Sequence, residues 1–158
     1  MADLQFAPRS TGPCVSGYSG TPLAQKLGIK AGCRLYAQSA PADYLELLAP
    51  LPARVDLVGH PDATTDVIHV FATRRSVLAR ALAAARARMR PDAALWASWP
   101  KQASGVATDI TEDTVRELAL PLDLVDIKVC AVDATWSGLK LVIRRSARAA
   151  AGSKARAR

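Results

Sequence analysis

The chain has few of the residues that build disulfide frameworks, metal sites or membrane spans. It holds three cysteines and two histidines in 158 residues, and aromatic side chains make up 5% of it. Cys14, Cys33 and Cys130 are widely spaced and form no CxxC pair, which argues against both a disulfide framework and a zinc site. No apolar run approaches the roughly 20 residues of a membrane span, and residues 1–13 lack the apolar core of a signal peptide. The sequence therefore predicts a cytoplasmic protein with no metal site and no membrane contact.

The net charge of +7 is concentrated at one end of the chain. Residues 144–158 hold six of the 21 lysines and arginines and no acid, which leaves 15 basic against 14 acidic residues in positions 1–143. We therefore predict a flexible N-terminal arm at 1–20, an α/β domain at 21–145 and a disordered basic tail at 146–158. The basic composition of this tail indicates either a solubilising role or a weak, salt-sensitive contact with nucleic acid.

Short apolar runs alternate with helical patterns along the middle of the chain. Helices are expected at 22–28, 43–48 and 76–89 and after the N-cap Thr111. Alternation of this kind predicts a three-layer α/β sandwich of Rossmann-like layout, with a mainly parallel sheet of about six strands that ends in an antiparallel hairpin. The predicted strands are Cys33–Ala37, Arg54–Val58, Asp66–Ala72, Ala93–Trp99, Leu124–Val132 and Leu139–Arg144. His69 falls inside one of these strands, where a buried histidine with satisfied hydrogen bonds is expected.

Two resemblances follow from these segments. The phrases LGIKAGCRLY, DVIHVFATRRSVLARALAAARARMRPDAALWASWPK, LVDIKVCAV and LKLVIRR resemble strands and helices of class I methyltransferases, which implies that fold. GYSGTPLAQKLGIKAG, DVIHVFATRR, LWASWPK and SGVATDITEDTVRELALPLDLVDIKVCAVDATWSGLKLV resemble a bacterial family known as domain of unknown function 3052. The second resemblance covers almost everything between Gly17 and Val142, and it implies no substrate, cofactor or catalytic residue.

The turn after the first strand lacks the glycines that a cofactor requires. Glycine there lets the backbone approach S-adenosylmethionine or a dinucleotide closely, because no Cβ stands in the way. This chain has the residues 38–44, QSAPADY, and its proline removes one backbone donor. After the second strand Gly59-His60-Pro61 replaces the usual acidic residue, although Asp62 is near. No cofactor is predicted.

The ends of the predicted strands still define a candidate binding edge. Arg74 and Lys101 suit a small anionic or phosphorylated ligand, with further donors from Ser39 and a helix N-terminus. The candidate edge residues are Ser39, His60, Arg74, Ser98, Trp99 and Lys101, with Gln38 and Thr73 beside them. Lys101 with Ser98 or Ser104 could also be drawn as a nucleophile pair, but no oxyanion hole is recognisable.

Three functions remain open from the sequence. The leading interpretation is a non-catalytic or cryptic module that binds a small ligand or a partner. The alternatives are a divergent S-adenosylmethionine-dependent methyltransferase and a nucleic-acid accessory protein acting through the tail. Whether the chain is an enzyme stays undecided, and Trp136 could either anchor a partner or fold back onto the sheet.

Overall fold

The computed structural model describes residues 22–148, which form one six-stranded sheet with helices on both faces. The strands are β1 (Arg34–Gln38), β2 (Asp56–Leu57), β3 (Val67–Phe71), β4 (Ala94–Pro100), β5 (Leu124–Ala131) and β6 (Trp136–Ile143). The helices are α1 (Leu23–Lys26), α2 (Tyr44–Leu48), α3 (Arg75–Arg88) and α4 (Glu112–Ala119), with 3-10 turns at Gln102–Ser104 and Leu120–Leu122. The predicted arm at 1–20 and residues 149–158 of the predicted tail lie outside the described residues.

The strand order β2-β1-β3-β4-β6-β5 confirms the predicted three-layer α/β sandwich. β1 pairs in parallel with β2 on one side and β3 on the other, and β3 pairs in parallel with β4. β6 inserts between β4 and β5 and runs antiparallel to both. The chain therefore moves outward from β1 to β2 and then crosses back to β3, which places the switch in strand order between β1 and β3.

The sheet separates two apolar cores. One core lies against α3 and α4, whose buried side chains include Leu78, Leu82 and Val115. The other lies against α1 and α2 and contains Phe71 and Trp96. All five residues of β3 are buried, as expected for a strand covered on both faces.

Local sequence explains where the helices begin and end. Thr111 caps α4 as predicted, because its hydroxyl accepts from the amide of Thr114 while the Thr114 hydroxyl accepts from the amide of Thr111. α3 is alanine-rich and ends at Arg88, shortly before Pro91.

One feature of the fold differs from a complete alternating sandwich. Residues 58–66, between β2 and β3, form turns rather than a helix, so the face of β1 beside α3 stays partly open.

The last strand begins at Trp136, three residues before the predicted start at Leu139. The carboxylate of Asp133 accepts from the amides of Thr135 and Trp136 at 2.8 and 2.7 Å, which closes the hairpin turn early and corrects the predicted boundary.

Candidate functional site

The turn after β1 lies at the switch point, where open α/β sheets bind ligands. Ser39 adopts the left-handed conformation there, with a φ of 58°. A side chain in this region costs about 1 kcal/mol or more, which glycine would avoid. The turn thus adopts a conformation that favours glycine, but the residue that adopts it carries a side chain.

A hydrogen-bonded chain of three side chains fills the interior below this edge. The hydroxyl of Tyr44 lies 2.8 Å from Nδ1 of His69, and Nε2 of His69 lies 2.7 Å from the hydroxyl of Ser98. His69 and Ser98 are fully buried, and Tyr44 is nearly so. Burial lowers the pKa of His69 to about 3 and raises the pKa of Tyr44 above its usual value. A neutral imidazole, one nitrogen donating and one accepting, satisfies both of its hydrogen bonds here.

Aromatic rings surround this chain. Phe71 stacks on the imidazole of His69 with the ring centres 4.2 Å apart, and it meets the rings of Tyr44 and Trp136 edge-on. Trp136 is half-buried, so it folds back onto the sheet rather than projecting from the hairpin. The space between the ends of β1 and β3 is therefore packed on the α2 side.

The N-terminus of α3, at the end of β3, is occupied by the protein itself. The carboxylate of Asp109 accepts from the amide of Arg75 at 2.6 Å, and the hydroxyl of Thr108 donates to the carbonyl of Thr73 at 2.7 Å. A carboxylate at this position satisfies the helix dipole that would otherwise attract an anionic ligand. A cleft of about 280 Å³ remains beside it, lined by Thr73, Arg74 and residues 107–109.

The structure does not gather the predicted edge residues into one site. Ser98 lies in the interior on His69, and Trp99 is buried in the core with α3 and α4, because both belong to β4 rather than to the loop after it. Ser39 and Arg74 lie at the ends of β1 and β3, while Lys101 follows β4, where its amide donates to Thr135. Ligand contact by the six residues stays a prediction.

His60 instead lines a different cleft, on the open face of β1. This β1–α3 cleft has a volume of about 410 Å³, which lies within the range of small-ligand sites. Its walls are Tyr36, Gln38, His60, Pro61, Ala84, Ala85 and Arg88.

Of these wall residues, the sequence placed only Gln38 and His60 at a candidate binding edge. The cleft itself was not predicted, because it lies where a helix between β2 and β3 would otherwise pack. The one available signal was the stretch 58–66, VGHPDATTD, which is too short and too rich in turn residues to form that helix.

The cysteines and acids of the described residues offer no metal centre. Cys33 is buried and Cys130 is half-buried, and desolvation raises the pKa of both thiols. Among residues 22–148 no three His, Cys, Asp or Glu side chains cluster in a way that could hold a metal ion. No helix in the same range is both long and apolar enough to cross a membrane.

Three solved structures that resemble this chain in fold are described as methyltransferases or methylases. A SAM-dependent methyltransferase from Aquifex aeolicus is 15% identical with a TM-score of 0.58, over 77% of this chain and 87% of that chain. A protein assigned to the type 11 methyltransferases, from Sulfolobus solfataricus, is 12% identical with a TM-score of 0.56, over 77% and 89%. The ribosomal protein L11 methylase from Lactobacillus delbrueckii subsp. bulgaricus is 9% identical with a TM-score of 0.52, over 78% and 76%. The fold is methyltransferase-like and Rossmann-like.

Sequence comparison adds nothing to this likeness. No protein-family model matches the chain, and no curated protein is similar to it in sequence. At identities this low the structural likeness defines the fold alone, so the site must be judged from its own residues.

Proposed function

We propose that this chain is a non-catalytic ligand-binding domain on a methyltransferase-like scaffold. The observation that carries the proposal is the packed chain of Tyr44, His69 and Ser98 below the switch point. Together with the side chain of Ser39 and the Asp109 carboxylate at α3, it leaves this edge without the glycine turn and the free helix N-terminus that such scaffolds use for a cofactor. The β1–α3 cleft stays open on the neighbouring face.

The walls of the cleft favour a small anionic ligand with a flat apolar part. Arg88 is exposed and forms no ion pair within residues 22–148, so its guanidinium is available to a carboxylate or phosphate. His60 and the amide of Gln38 supply further polar contacts, while Tyr36 and Pro61 supply apolar surface. A few polar groups set in an apolar wall are typical of sites for small molecules.

The ligand chemistry can be tested with adenosine monophosphate and pyrophosphate as probes. We expect two-dimensional NMR of the full chain to show saturable shifts at Gln38, His60 and Ala84 with the first probe, and weaker ones with the second. Arg88→Gln should weaken binding by about tenfold, the cost of one charged hydrogen bond. Arg80→Gln is the matched control, because Arg80 is exposed on the same helix and does not line the cleft. Equal losses in the two variants, or no shifts at the cleft, would refute the proposed site.

The second candidate is a divergent S-adenosylmethionine-dependent methyltransferase, favoured by the fold of the solved structures. The sequence assigns its edge to Ser39, His60 and Lys101, of which His60 lines the β1–α3 cleft instead. Asp62 would be the natural partner for ribose hydroxyls, but its carboxylate already accepts from the amide and hydroxyl of Thr64. This candidate requires S-adenosylmethionine to displace contacts that the chain makes with itself.

Two finer assignments complete the proposal. The phrases between Gly17 and Val142 support membership of the bacterial family known as domain of unknown function 3052. The composition of the chain supports a cytoplasmic location.

A further inference from the structure

A second cleft lies on the face of the sheet that α1 covers. It has a volume of about 430 Å³, within the range of small-ligand sites, and residues at the starts of β1, β3 and β4 line it. The turn after α1, residues 28–33, forms one of its walls, and Lys140 of β6 forms another. This α1–β6 cleft and the β1–α3 cleft lie on opposite faces of the sheet.

The register of the sheet places two lysines next to each other on this face. Lys140 pairs directly with Trp96 of β4, and the indole Nε1 of Trp96 donates to the carbonyl of Leu27, just after α1, at 3.0 Å. On the other side of β6, Lys128 of β5 pairs directly with Lys140. Residues directly opposite each other on neighbouring strands have their side chains on the same face, with Cβ atoms about 5 Å apart. Both lysines therefore lie on the α1 side of the sheet.

No acid of the described residues balances this pair of like charges. Neither Lys128 nor Lys140 forms an ion pair within residues 22–148, and like charges directly opposite each other on neighbouring strands are destabilising. Lys140 is half-buried, so solvent screens its charge less than it screens the charge of an exposed lysine. Lys30, on the wall formed by the turn after α1, is a further cation without an ion pair in the same range.

The acids in the walls of the cleft already have partners. Asp66 and Asp92 both line it, and both pair with Arg90, at 2.6 and 2.7 Å. The second carboxylate oxygen of Asp66 accepts from the amide of Arg34 at 2.7 Å. One arginine therefore holds both carboxylates, and the two lysines of the walls keep their charges for a ligand.

We propose that the α1–β6 cleft binds a phosphate group of a small molecule through Lys30 and Lys140. A phosphate dianion balances both wall lysines and relieves the repulsion between Lys140 and Lys128. The amides of Lys30 and Ala31 donate to no carbonyl within residues 22–148, so they add donors at the same wall. An ammonium group binds phosphate as a point charge, whereas a planar carboxylate is matched better by the fork of an arginine. The volume of the cleft suits a small ligand.

Two-dimensional NMR of the full chain, with pyrophosphate as the probe at constant ionic strength, tests this site. We expect saturable shifts at the amides of Lys30, Ala31 and Gly32. Lys140→Met keeps the apolar stem and removes the charge, so it should weaken binding at least tenfold. The same variant should raise the Tm of the protein without ligand by about 1–4 °C, because it removes one of two like charges that face each other. Arg80→Met is the matched control, since Arg80 is exposed on α3, on the opposite face of the sheet.

Weaker binding in Lys140→Met together with a raised Tm supports the proposal, because a lysine that only stabilised the fold would lower Tm when replaced. Equal losses of affinity in Lys140→Met and Arg80→Met would overturn it. Lys30→Met is a second test that does not depend on packing, since Lys30 is exposed in a turn, and native affinity in this variant would also overturn the site.

Two further outcomes would assign the probe elsewhere. Pyrophosphate shifts confined to Gln38 and His60 would place it in the β1–α3 cleft and refute the site at Lys30 and Lys140. Arg88→Gln separates the two clefts, because it should remove the shifts at Gln38 and His60 and leave those at Lys30 unchanged. Tighter binding of citrate than of pyrophosphate would show that the α1–β6 cleft selects carboxylates, against the proposal.

Discussion

Nε2 of His69 lies 2.7 Å from the hydroxyl of Ser98, and both side chains are fully buried. His69 is in the middle of β3, where it pairs with Trp96 of β4. Ser98 is two positions beyond Trp96, so it lies on the same face of the sheet as His69. Nδ1 of the same ring contacts Tyr44 at the start of α2. One neutral imidazole therefore joins two strands and a helix, and it fills the interior below the ends of the strands.

Burial of His69 predicts a pH dependence of stability. Its pKa is about 3 in the folded chain, against 6.5 for an exposed histidine. Between these pH values the unfolded chain binds a proton that the folded chain does not, so the free energy of unfolding falls as pH falls below 6.5 and is level above it. From pH 6.5 to 5 the loss from this residue should be about 1.5 kcal/mol. Urea unfolding at several pH values checks this.

His69→Gln is the comparison for that experiment. Glutamine can still contact Tyr44 and Ser98 but does not titrate, so its unfolding free energy should change less over the same pH range. Staying above pH 5 avoids the titration of the aspartates, whose ordinary pKa is 3.8. If the free energy of unfolding changed with pH equally in the two proteins, His69 would have to bind a proton in the folded chain as readily as in the unfolded chain.

Tyr44→Phe should destabilise the protein by about 1–3 kcal/mol, because it leaves a buried ring nitrogen of His69 without its partner. Tyr36→Phe is the matched control: its hydroxyl is half-buried and lies 3.4 Å from Oε1 of Gln38, so its removal should cost about 0.5 kcal/mol or less. Chemical denaturation gives both values. Equal costs would mean that the Tyr44–His69 contact contributes nothing specific.

Gly138→Ala should be destabilising because an added Cβ would press against three neighbouring side chains at closer than ordinary contact distance. A methyl group there would meet the hydroxyl of Ser98, Cε3 of Trp96 and Cγ2 of Val132, each at 3.3 Å. We expect a loss of about 1–3 kcal/mol, as for other overpacked cores, and a lower Tm by calorimetry. Gly59→Ala, where no atom lies within 4 Å of the added Cβ, should leave Tm nearly unchanged. A Tm for Gly138→Ala equal to that of the native chain would contradict this packing.

Asp109→Ala should weaken the start of α3 by about 1 kcal/mol, because it removes the carboxylate bound to the amide of Arg75. Hydrogen exchange should show faster exchange of that amide. Asp43→Ala is the control, since Asp43 precedes α2 without forming a side-chain cap. Unchanged exchange at Arg75 in Asp109→Ala would show that the loop does not cap the helix.

The fold was predictable from the sequence because its cues are periodic. The run DVIHVFA is apolar at both alternating sets of positions, which predicted a strand covered on both faces and a buried His69. Thr111 was recognisable from its cap chemistry alone. The early start of β6 was not, because it depends on the Asp133 carboxylate bending back to two amides within the turn.

The site was harder to predict because strand ends and side-chain directions decide it. Ser98 and Trp99 belong to the run LWASWP, which is almost wholly apolar and has no polar face, so the sequence does not say which of its last residues are interior. The β1–α3 cleft arises from a helix that residues 58–66 do not form. Arg88 lines it only because α3 crosses that open face.

Titration of the full chain with S-adenosylmethionine, followed by amide chemical shifts, tests the central claim most directly. The packed interior and the Cβ of Ser39 predict no saturable shifts at residues 39–43 or at Thr73 with ligand up to about 1 mM. A Kd of about 1 mM corresponds to a binding free energy of roughly 4 kcal/mol, so any binding must be weaker than that. Saturable shifts at those amides with a micromolar Kd would contradict the account and establish the edge of the sheet as a working cofactor site.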